Sequence, residues 1–224
     1  MKIPEFKIRT DLALEEREGL KEAAEEVQGF LLKVGRKTVS SQITEVKVLN
    51  EHGAKALGKP MGSYLTLEAD KLLMPDEDFH SEVSDELALL LKGLLKQKTG
   101  KNILVAGLGN QSVTPDSLGP RTVSNLCVSA EGLKAIAPGV MAQTGMETAR
   151  ILLGIIKEVQ PDLVIAIDAL AARSIRRLGT TIQLTDTGIH PGSGVGNHRH
   201  SLTRESLGIP VIRHRSCPLW WGRW

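Results

Sequence analysis

Two short apolar runs, each ending at a turn, constrain the fold of this chain more than any other feature. They are Ile103-Leu-Val-Ala106 and Leu163-Val-Ile-Ala-Ile167. Neither run alternates apolar with polar residues, which is typical of strands buried on both faces of a parallel sheet. A helical pattern separates them, and alternation of strands with helices indicates an α/β fold. We therefore predict a mostly parallel sheet flanked by helices.

Other segments predict the elements around this sheet. Apolar residues spaced three and four apart predict a core-facing helix over residues 76–98. Thr144-Gly-Met-Glu147 matches a capping box and is expected to open a further helix. Residues 11–28 are predicted to form an N-terminal helix, with Asp11 as a possible N-cap. Strands are expected within residues 37–49 and at 64–68, which together predict an N-terminal α+β extension packed on the core.

Charge and composition exclude several classes of protein. The 224 residues include 28 basic and 26 acidic side chains, and a net charge of +2 argues against nucleic acid as the main direct partner. No apolar run reaches the roughly 18 residues of a membrane span, and the first residues contain no apolar signal core. Cys127 and Cys217 have no metal-ligand spacing and predict no disulfide framework. We expect a cytoplasmic protein without a cofactor or membrane partner.

Two aspartates follow the apolar runs. Asp116 lies in the glycine-containing segment after the first run, and Asp168 ends the second. Ligands of open parallel sheets bind outside the carboxyl ends of the strands, so both side chains are expected at one crevice. Two neighbouring carboxylates can share a proton and act as acid and base. The alternative is that each aspartate only caps a helix or turn.

Two glycine-containing segments have alternative interpretations. Gly107-Leu-Gly109 after a strand suggests a dinucleotide loop, but the third glycine of that motif would fall on Ser112, and no P-loop lysine follows. We favour a tight turn at the end of the strand. The second segment, residues 186–197, exposes many backbone amides and can approach a substrate or anion closely.

Residues of this second glycine-rich segment are candidates for the substrate loop. They are His190, Gly192, Gly194 and Asn197. His190 could also serve as a base, as a metal ligand or as a loop histidine bonded to the backbone. A divalent metal site formed with Asp116 and Asp168 is conceivable, because carboxylate and imidazole groups suit such ions, but no spacing demands it. We therefore predict no metal.

Several long strings resemble the germination protease family of endospore-forming bacteria, whose members degrade small acid-soluble spore proteins. The matching stretches include Ile8-Arg-Thr-Asp-Leu-Ala-Leu-Glu15, Gly58-Lys-Pro60, Val113-Thr-Pro-Asp-Ser-Leu-Gly-Pro120, Pro161-Asp-Leu-Val-Ile-Ala-Ile-Asp-Ala-Leu-Ala171 and Gly188-Ile-His-Pro-Gly-Ser-Gly-Val-Gly-Asn197. In family order, the matching strings span residues 8 to 212.

The resemblance implies a sheet fold like that of hydrogenase-maturation endopeptidases and an aspartic endopeptidase mechanism with Asp116 and Asp168 as the catalytic residues. It also implies a self-processing zymogen that is cut between Asp11 and Leu12, so that residues 1–11 form a propeptide. The substrates would be small acid-soluble spore proteins in the spore core, and the protein would be a homotetramer. Which aspartate is the acid and which is the base stays open.

The sequence departs from the family pattern in two places. The segment between Cys127 and Ala137 is shorter than expected. After Val211-Ile212 the family would continue roughly Ala-Ile-Gly-Val-Pro, whereas this chain continues Arg213-His-Arg-Ser and ends in a tryptophan cluster. We hypothesise a frameshift or a truncated gene model. The predicted layout is then an N-terminal part over 12–98, a catalytic core over 99–212 and an aberrant tail over 213–224.

Two other functions are compatible with the residues. One is a metal-dependent maturation endopeptidase that uses the two aspartates and His190 as ligands. The other is a non-catalytic α/β binding module, or an inactive truncated remnant, that binds through the glycine-rich loop.

Overall fold

The computed structural model of the chain describes residues 10–20, 29–38, 41–95, 102–128, 132–189 and 201–216. Eight strands form one sheet: β1 Phe30–Lys37, β2 Gln42–Val48, β3 Gly62–Glu68, β4 Ile103–Gly107, β5 Leu133–Ile136, β6 Leu163–Ala169, β7 Thr181–Thr185 and β8 Val211–Ser216. The helices are α1 Ala13–Gly19, α2 Glu51–Leu57, α3 Glu77–Leu95, α4 Leu118–Ser124, α5 Met141–Thr144, α6 Thr148–Val159 and α7 Arg204–Leu207. Two 3-10 turns, Thr114–Asp116 and Ile175–Arg177, follow β4 and β6 respectively.

The sheet is mixed, with strand order β1-β2-β3-β7-β8-β6-β4-β5. Strands β8, β6, β4 and β5 pair in parallel, as the two apolar runs predict. Strands β1, β2, β3, β7 and β8 pair antiparallel. The prediction of a mostly parallel sheet is therefore wrong, although the α/β class with flanking helices is confirmed. The reason is that the N-terminal strands β1, β2 and β3 join the same sheet in antiparallel pairing, through the contact of β3 with β7.

Helices cover both faces of this sheet. On one face α3 packs with α4 over the central strands, where Leu94 joins buried Val105, Ile165 and Leu184. On the other face α6 and α7 cover the parallel half, where Leu152 and Leu207 contact the strand residues. Over the antiparallel half of that second face lie α1 and α2. The strand ends that carry the predicted catalytic residues are thus held between two packed layers.

Most predicted elements occur, with differences at their ends. The helix predicted over 76–98 is confirmed as α3 from Glu77 to Leu95, and its residues 96–98 lie outside the described residues. The strands at 64–68, 103–106 and 163–168 are confirmed. The capping box is wrong: Thr144 ends α5, its hydroxyl accepts the Met146 N–H, and α6 begins only at Thr148. Here the left-handed residue Gly145 ends one short helix before the next begins. Among the helices of the described segments, none combines the length and the apolar character that a membrane crossing requires.

Candidate active site

Asp116 closes a tight loop at the carboxyl end of β4. The loop turns at Gly109, whose φ of 116° lies in the region that favours glycine, and a side chain there would meet the Asp116 backbone oxygen at 2.0 Å. One carboxylate oxygen, Oδ2 of Asp116, accepts the Asn110 N–H at 2.7 Å. Gly109 therefore serves a close chain reversal, as the tight-turn interpretation predicts, whereas at Gly107 a side chain would meet the backbone oxygen of Gly119 at 2.2 Å.

The start of α4 lies directly on the sheet edge because Gly119 has no side chain. A Cβ at this position would lie 2.4 Å from both the backbone N and O of Leu108 and 2.5 Å from the backbone O of Ile167. The 3-10 turn that contains Asp116 also packs against β6, the strand that carries Asp168. The structure thus places the two predicted catalytic aspartates at the carboxyl ends of the neighbouring strands β4 and β6.

Replacing Gly119 with alanine is expected to destabilise the fold by about 1–3 kcal/mol, since the atoms in the way belong to the backbone and cannot rotate aside. Urea-induced unfolding measures the loss. The matched control is Gly154→Ala in α6, where a new Cβ meets nothing within 4 Å and alanine favours the helix. Equal stability of the two variants would show that the close approach of α4 to β4 and β6 is not rigid.

Asp168 is ion-paired with an arginine of the neighbouring strand. Arg215 is its register partner on β8, and Oδ2 of Asp168 accepts hydrogen bonds from Arg215 Nε at 2.9 Å and from Nη2. Within the described part of the chain, the second carboxylate oxygen of Asp168 accepts no hydrogen bond. The Asp168 side chain is 16% exposed, so it is not completely closed off from solvent.

The same arginine also binds the N-terminal segment. Arg215 Nη1 lies 2.9 Å from Oδ2 of Asp11, the residue before the predicted processing site. Asp11 does not cap α1, because its carboxylate instead accepts the Ala171 N–H at 2.9 Å, and its own N–H donates to the Ala171 carbonyl at 2.8 Å. One guanidinium thus separates the carboxylates of Asp11 and Asp168.

Charges around Asp11 shift several pKa values. Burial raises the pKa of Asp11, but Arg215, the Ala171 N–H and Lys59 outweigh burial, so the pKa lies below its ordinary value. Burial lowers the pKa of Lys59, and the attraction of Asp11 offsets this only in part. For Arg215 the two carboxylates outweigh burial and raise the pKa. The site therefore favours a charged Asp11 and a charged Arg215 together.

Lys59 and Gln183 bind the backbone of this N-terminal segment. Lys59 Nζ donates to the carbonyl oxygens of Thr10 at 3.3 Å and Asp11 at 3.1 Å. Gln183 Nε2 donates to the Asp11 carbonyl at 3.4 Å, while Gln183 Oε1 accepts the Ala13 N–H at 3.0 Å. Between these contacts Leu12 has 0% of its surface exposed. The Asp11–Leu12 peptide bond is thus held from both sides.

Glu15 fastens α1 to the segment that follows β6. Its carboxylate accepts the N–H groups of Arg173 at 2.6 Å and Ser174 at 2.9 Å, and it lies 3.3 Å from Arg177 Nη1. Arg177 also pairs with Glu18 and Glu68, which raises its pKa. These contacts fix the chain on the carboxyl side of Leu12, as Arg215 and Lys59 fix it on the amino side.

The described residues include only part of the predicted site. Asp11, Leu12, Asp116 and Asp168 lie within them, whereas the predicted substrate-loop residues His190, Gly192, Gly194 and Asn197 lie outside. Where residues are described, no group of three or more His, Cys, Asp or Glu side chains could hold a metal ion.

Sequence reasoning missed three residues of this site. Lys59 stands in the matching string Gly58-Lys-Pro60, which was a signal of its importance, and Gln183 is a polar residue in an otherwise strand-like run. Arg215 fell in the segment assigned to the aberrant tail. Yet β8 continues across that boundary to Ser216 and pairs with both β6 and β7.

Comparison with known proteins supports the family resemblance that the sequence strings indicate. The family model described as germination protease matches residues 8–215. The chain is 50% identical over 220 residues to the germination protease of Caldanaerobacter subterraneus subsp. tengcongensis, covering 92% of this chain and 67% of that protein. It is 43% identical to the germination proteases of Clostridium perfringens (92% and 68% covered) and a Geobacillus species (92% and 62%). The chain thus spans about two thirds of the length of these relatives. On these matches, the chain belongs to the germination protease family.

Proposed function

We propose that this chain is an aspartic-type endopeptidase that begins the degradation of small acid-soluble spore proteins during germination, with Asp116 and Asp168 as its catalytic pair. The observation that carries the proposal is their placement: in a member of the germination protease family, two carboxylates lie at the ends of adjoining strands, and the 3-10 turn that contains Asp116 contacts the strand that carries Asp168. The relatives bear the name germination protease, which fits a protein substrate. The spore core as its location and a fold like that of hydrogenase-maturation endopeptidases belong to the same proposal.

The proposed reaction uses one carboxyl group as base and the other as acid. The base takes a proton from water, whose oxygen bonds to the carbonyl carbon of the scissile peptide. The acid then supplies a proton to the leaving nitrogen as the carbon–nitrogen bond breaks. Asp168 is suited to contact the water, because Arg215 binds only its Oδ2 and the side chain is partly exposed.

The proposal includes a zymogen that processes itself between Asp11 and Leu12. Leu12 is fully buried and its N–H donates to the Thr10 hydroxyl at 3.1 Å, so a second molecule cannot reach this bond without undocking the segment. Its neighbour Asp11 shares the Arg215 guanidinium with Asp168. This proximity supports cleavage within one chain, with residues 1–11 released.

Other parts of the proposal concern substrate and assembly. Residues His190, Gly192, Gly194 and Asn197 would approach the substrate backbone, because glycines leave amide groups exposed. A homotetramer is proposed from the family resemblance, and the frameshift or truncation hypothesis for residues 213–224 remains with it. Sequencing the locus tests that hypothesis, and an intact frame that encodes this tail would contradict it.

Incubating the chain with a small acid-soluble spore protein and mapping the products by mass spectrometry tests the proposed function. We expect one discrete cut in the substrate and a new N-terminus at Leu12 of the chain itself. A parallel incubation with a metal chelator should leave both cuts unchanged. Loss of cleavage in chelator, restored by a divalent ion, would favour a metal-dependent endopeptidase, and peptide binding without hydrolysis would favour a non-catalytic module.

A further inference from the structure

The contacts around the Asp11 carbonyl oxygen go beyond what holding a segment requires. Two side chains donate hydrogen bonds to this one oxygen: Lys59 Nζ, from the loop after α2, at 3.1 Å, and Gln183 Nε2, from β7, at 3.4 Å. In the proposed self-processing this oxygen belongs to the bond that breaks. It is also the atom on which negative charge develops when water adds to the carbonyl carbon.

We infer that Lys59, assisted by Gln183, is a catalytic residue that polarises the scissile carbonyl of the Asp11–Leu12 bond. This inference rests on the proposed function, since it assigns a role within the same reaction. When the water oxygen bonds to the carbonyl carbon, the carbonyl oxygen takes up the electron pair and Lys59 stabilises the resulting charge. The pair returns as the carbon–nitrogen bond breaks, and the Leu12 nitrogen takes a proton.

The surroundings of Lys59 suit this role. Its ammonium group is half-buried among Asp11, Arg213 and Arg215, where water screens charge poorly and a fixed donor is worth more than in solvent. It also donates to the Thr10 carbonyl, which fixes its direction. Gln183 is 0% exposed and bridges the bond by holding the Asp11 carbonyl and the Ala13 N–H with one amide group.

An anchoring role would use the same hydrogen bonds, so docking and chemistry must be measured separately. Docking of the segment is measured by hydrogen exchange at the Ala13 N–H, which donates to Gln183 Oε1. This measurement uses chains that also carry Asp116→Asn, so that the segment stays uncleaved. Chemistry is read from the first-order rate at which the otherwise wild-type chain acquires an N-terminus at Leu12. This rate does not depend on concentration if cleavage occurs within one chain.

Lys59→Met is expected to slow self-processing by about 100-fold or more, the usual effect of removing one donor to a developing oxyanion. Exchange at Ala13 should stay slow, because Gln183 still holds that amide. Lys59→Arg, which retains a cationic donor, should recover part of the rate. Lys55→Met, at an exposed position of α2, is the matched control and should process at the wild-type rate.

Three results would overturn the inference. If Lys59→Met processes at the wild-type rate, Lys59 has no part in the chemistry, although the proposed function stands. If Lys59→Met is slow and Ala13 exchanges freely, the lysine is only an anchor. If the wild-type chain itself produces no N-terminus at Leu12, both the processing site and the role of Lys59 fail together, and the wild-type sample alone reveals this.

Discussion

Asparagine in place of either Asp116 or Asp168 should lower the rate of substrate cleavage and of self-processing by about 10²- to 10⁴-fold, the range that a positioned acid or base contributes. Asparagine keeps the size of the side chain but can neither take the proton of water nor supply one to the leaving nitrogen. Each variant is made separately, and product formation is followed by mass spectrometry. Either variant retaining near-normal rates would contradict the assignment of the pair.

Loss of activity must be distinguished from loss of the fold, because Asp168 also pairs with Arg215, whose side chain is only 12% exposed. Thermal unfolding of both variants supplies this control, and Arg215 keeps its contact with Asp11 when Asp168 is replaced. A matched variant is Asp162→Asn, directly before β6 and at its opposite end, where the side chain is exposed and accepts the Asn102 N–H. That variant should keep the wild-type rate of cleavage.

The second large effect is a loss of stability in mild acid caused by His214. Its cross-strand partners are Ile167 and Leu184, both buried and apolar, and its two ring nitrogens are shielded from solvent without a hydrogen-bond partner in the described structure. Burial lowers the pKa of His214 from 6.5 to about 4. Hence the ring is neutral in the folded protein but takes a proton in the unfolded chain below about pH 6.5.

The sign of the effect follows from this difference in pKa. Above pH 6.5 neither state binds the proton, and His214 does not change the free energy of unfolding. Between pH 6.5 and about 4 only the unfolded state binds the proton. As the pH is lowered through this range, the free energy of unfolding therefore decreases by about 3 kcal/mol in total. Urea unfolding at a series of pH values measures the slope.

His214→Phe should remove most of this pH dependence, because phenylalanine matches the apolar neighbours and does not titrate. The control is His52→Phe on α2, where the side chain is exposed and its replacement should leave the slope unchanged. An unchanged slope in His214→Phe would mean that the ring is not held neutral on the sheet face formed by Ile167 and Leu184.

Local patterns predicted the parts of the site that a single segment carries. Asp116 and Asp168 follow continuous apolar runs, and a parallel strand buried on both faces requires such a run, so their positions at strand ends follow from sequence. The ion pair of Asp168 with Arg215 could not be predicted in this way. It depends on β8 lying beside β6, and the intervening segment of chain carries no pattern that specifies this neighbour.

The tail predicted to begin at residue 213 contains part of the site. Arg213, His214 and Arg215 do not continue the string expected of the family, and the sequence-based prediction therefore places them in the tail. In the structure the strand continues because β6 and β7 pair with it from both sides. Arg213 is buried, Arg215 binds Asp11 and Asp168, and His214 lies between apolar neighbours.

By itself, the sequence determined the α/β class, the two strand-end aspartates and, through its long matching strings, the family of the chain, since these depend on residues adjacent along the chain. Only the tertiary structure decided that the sheet is mixed, that Arg215 joins Asp11 to Asp168, and that Lys59 and Gln183 meet at the Asp11 carbonyl. These features join residues far apart in sequence. Strand order sets such contacts, and hydrophobic periodicity reports burial without specifying which strands become neighbours.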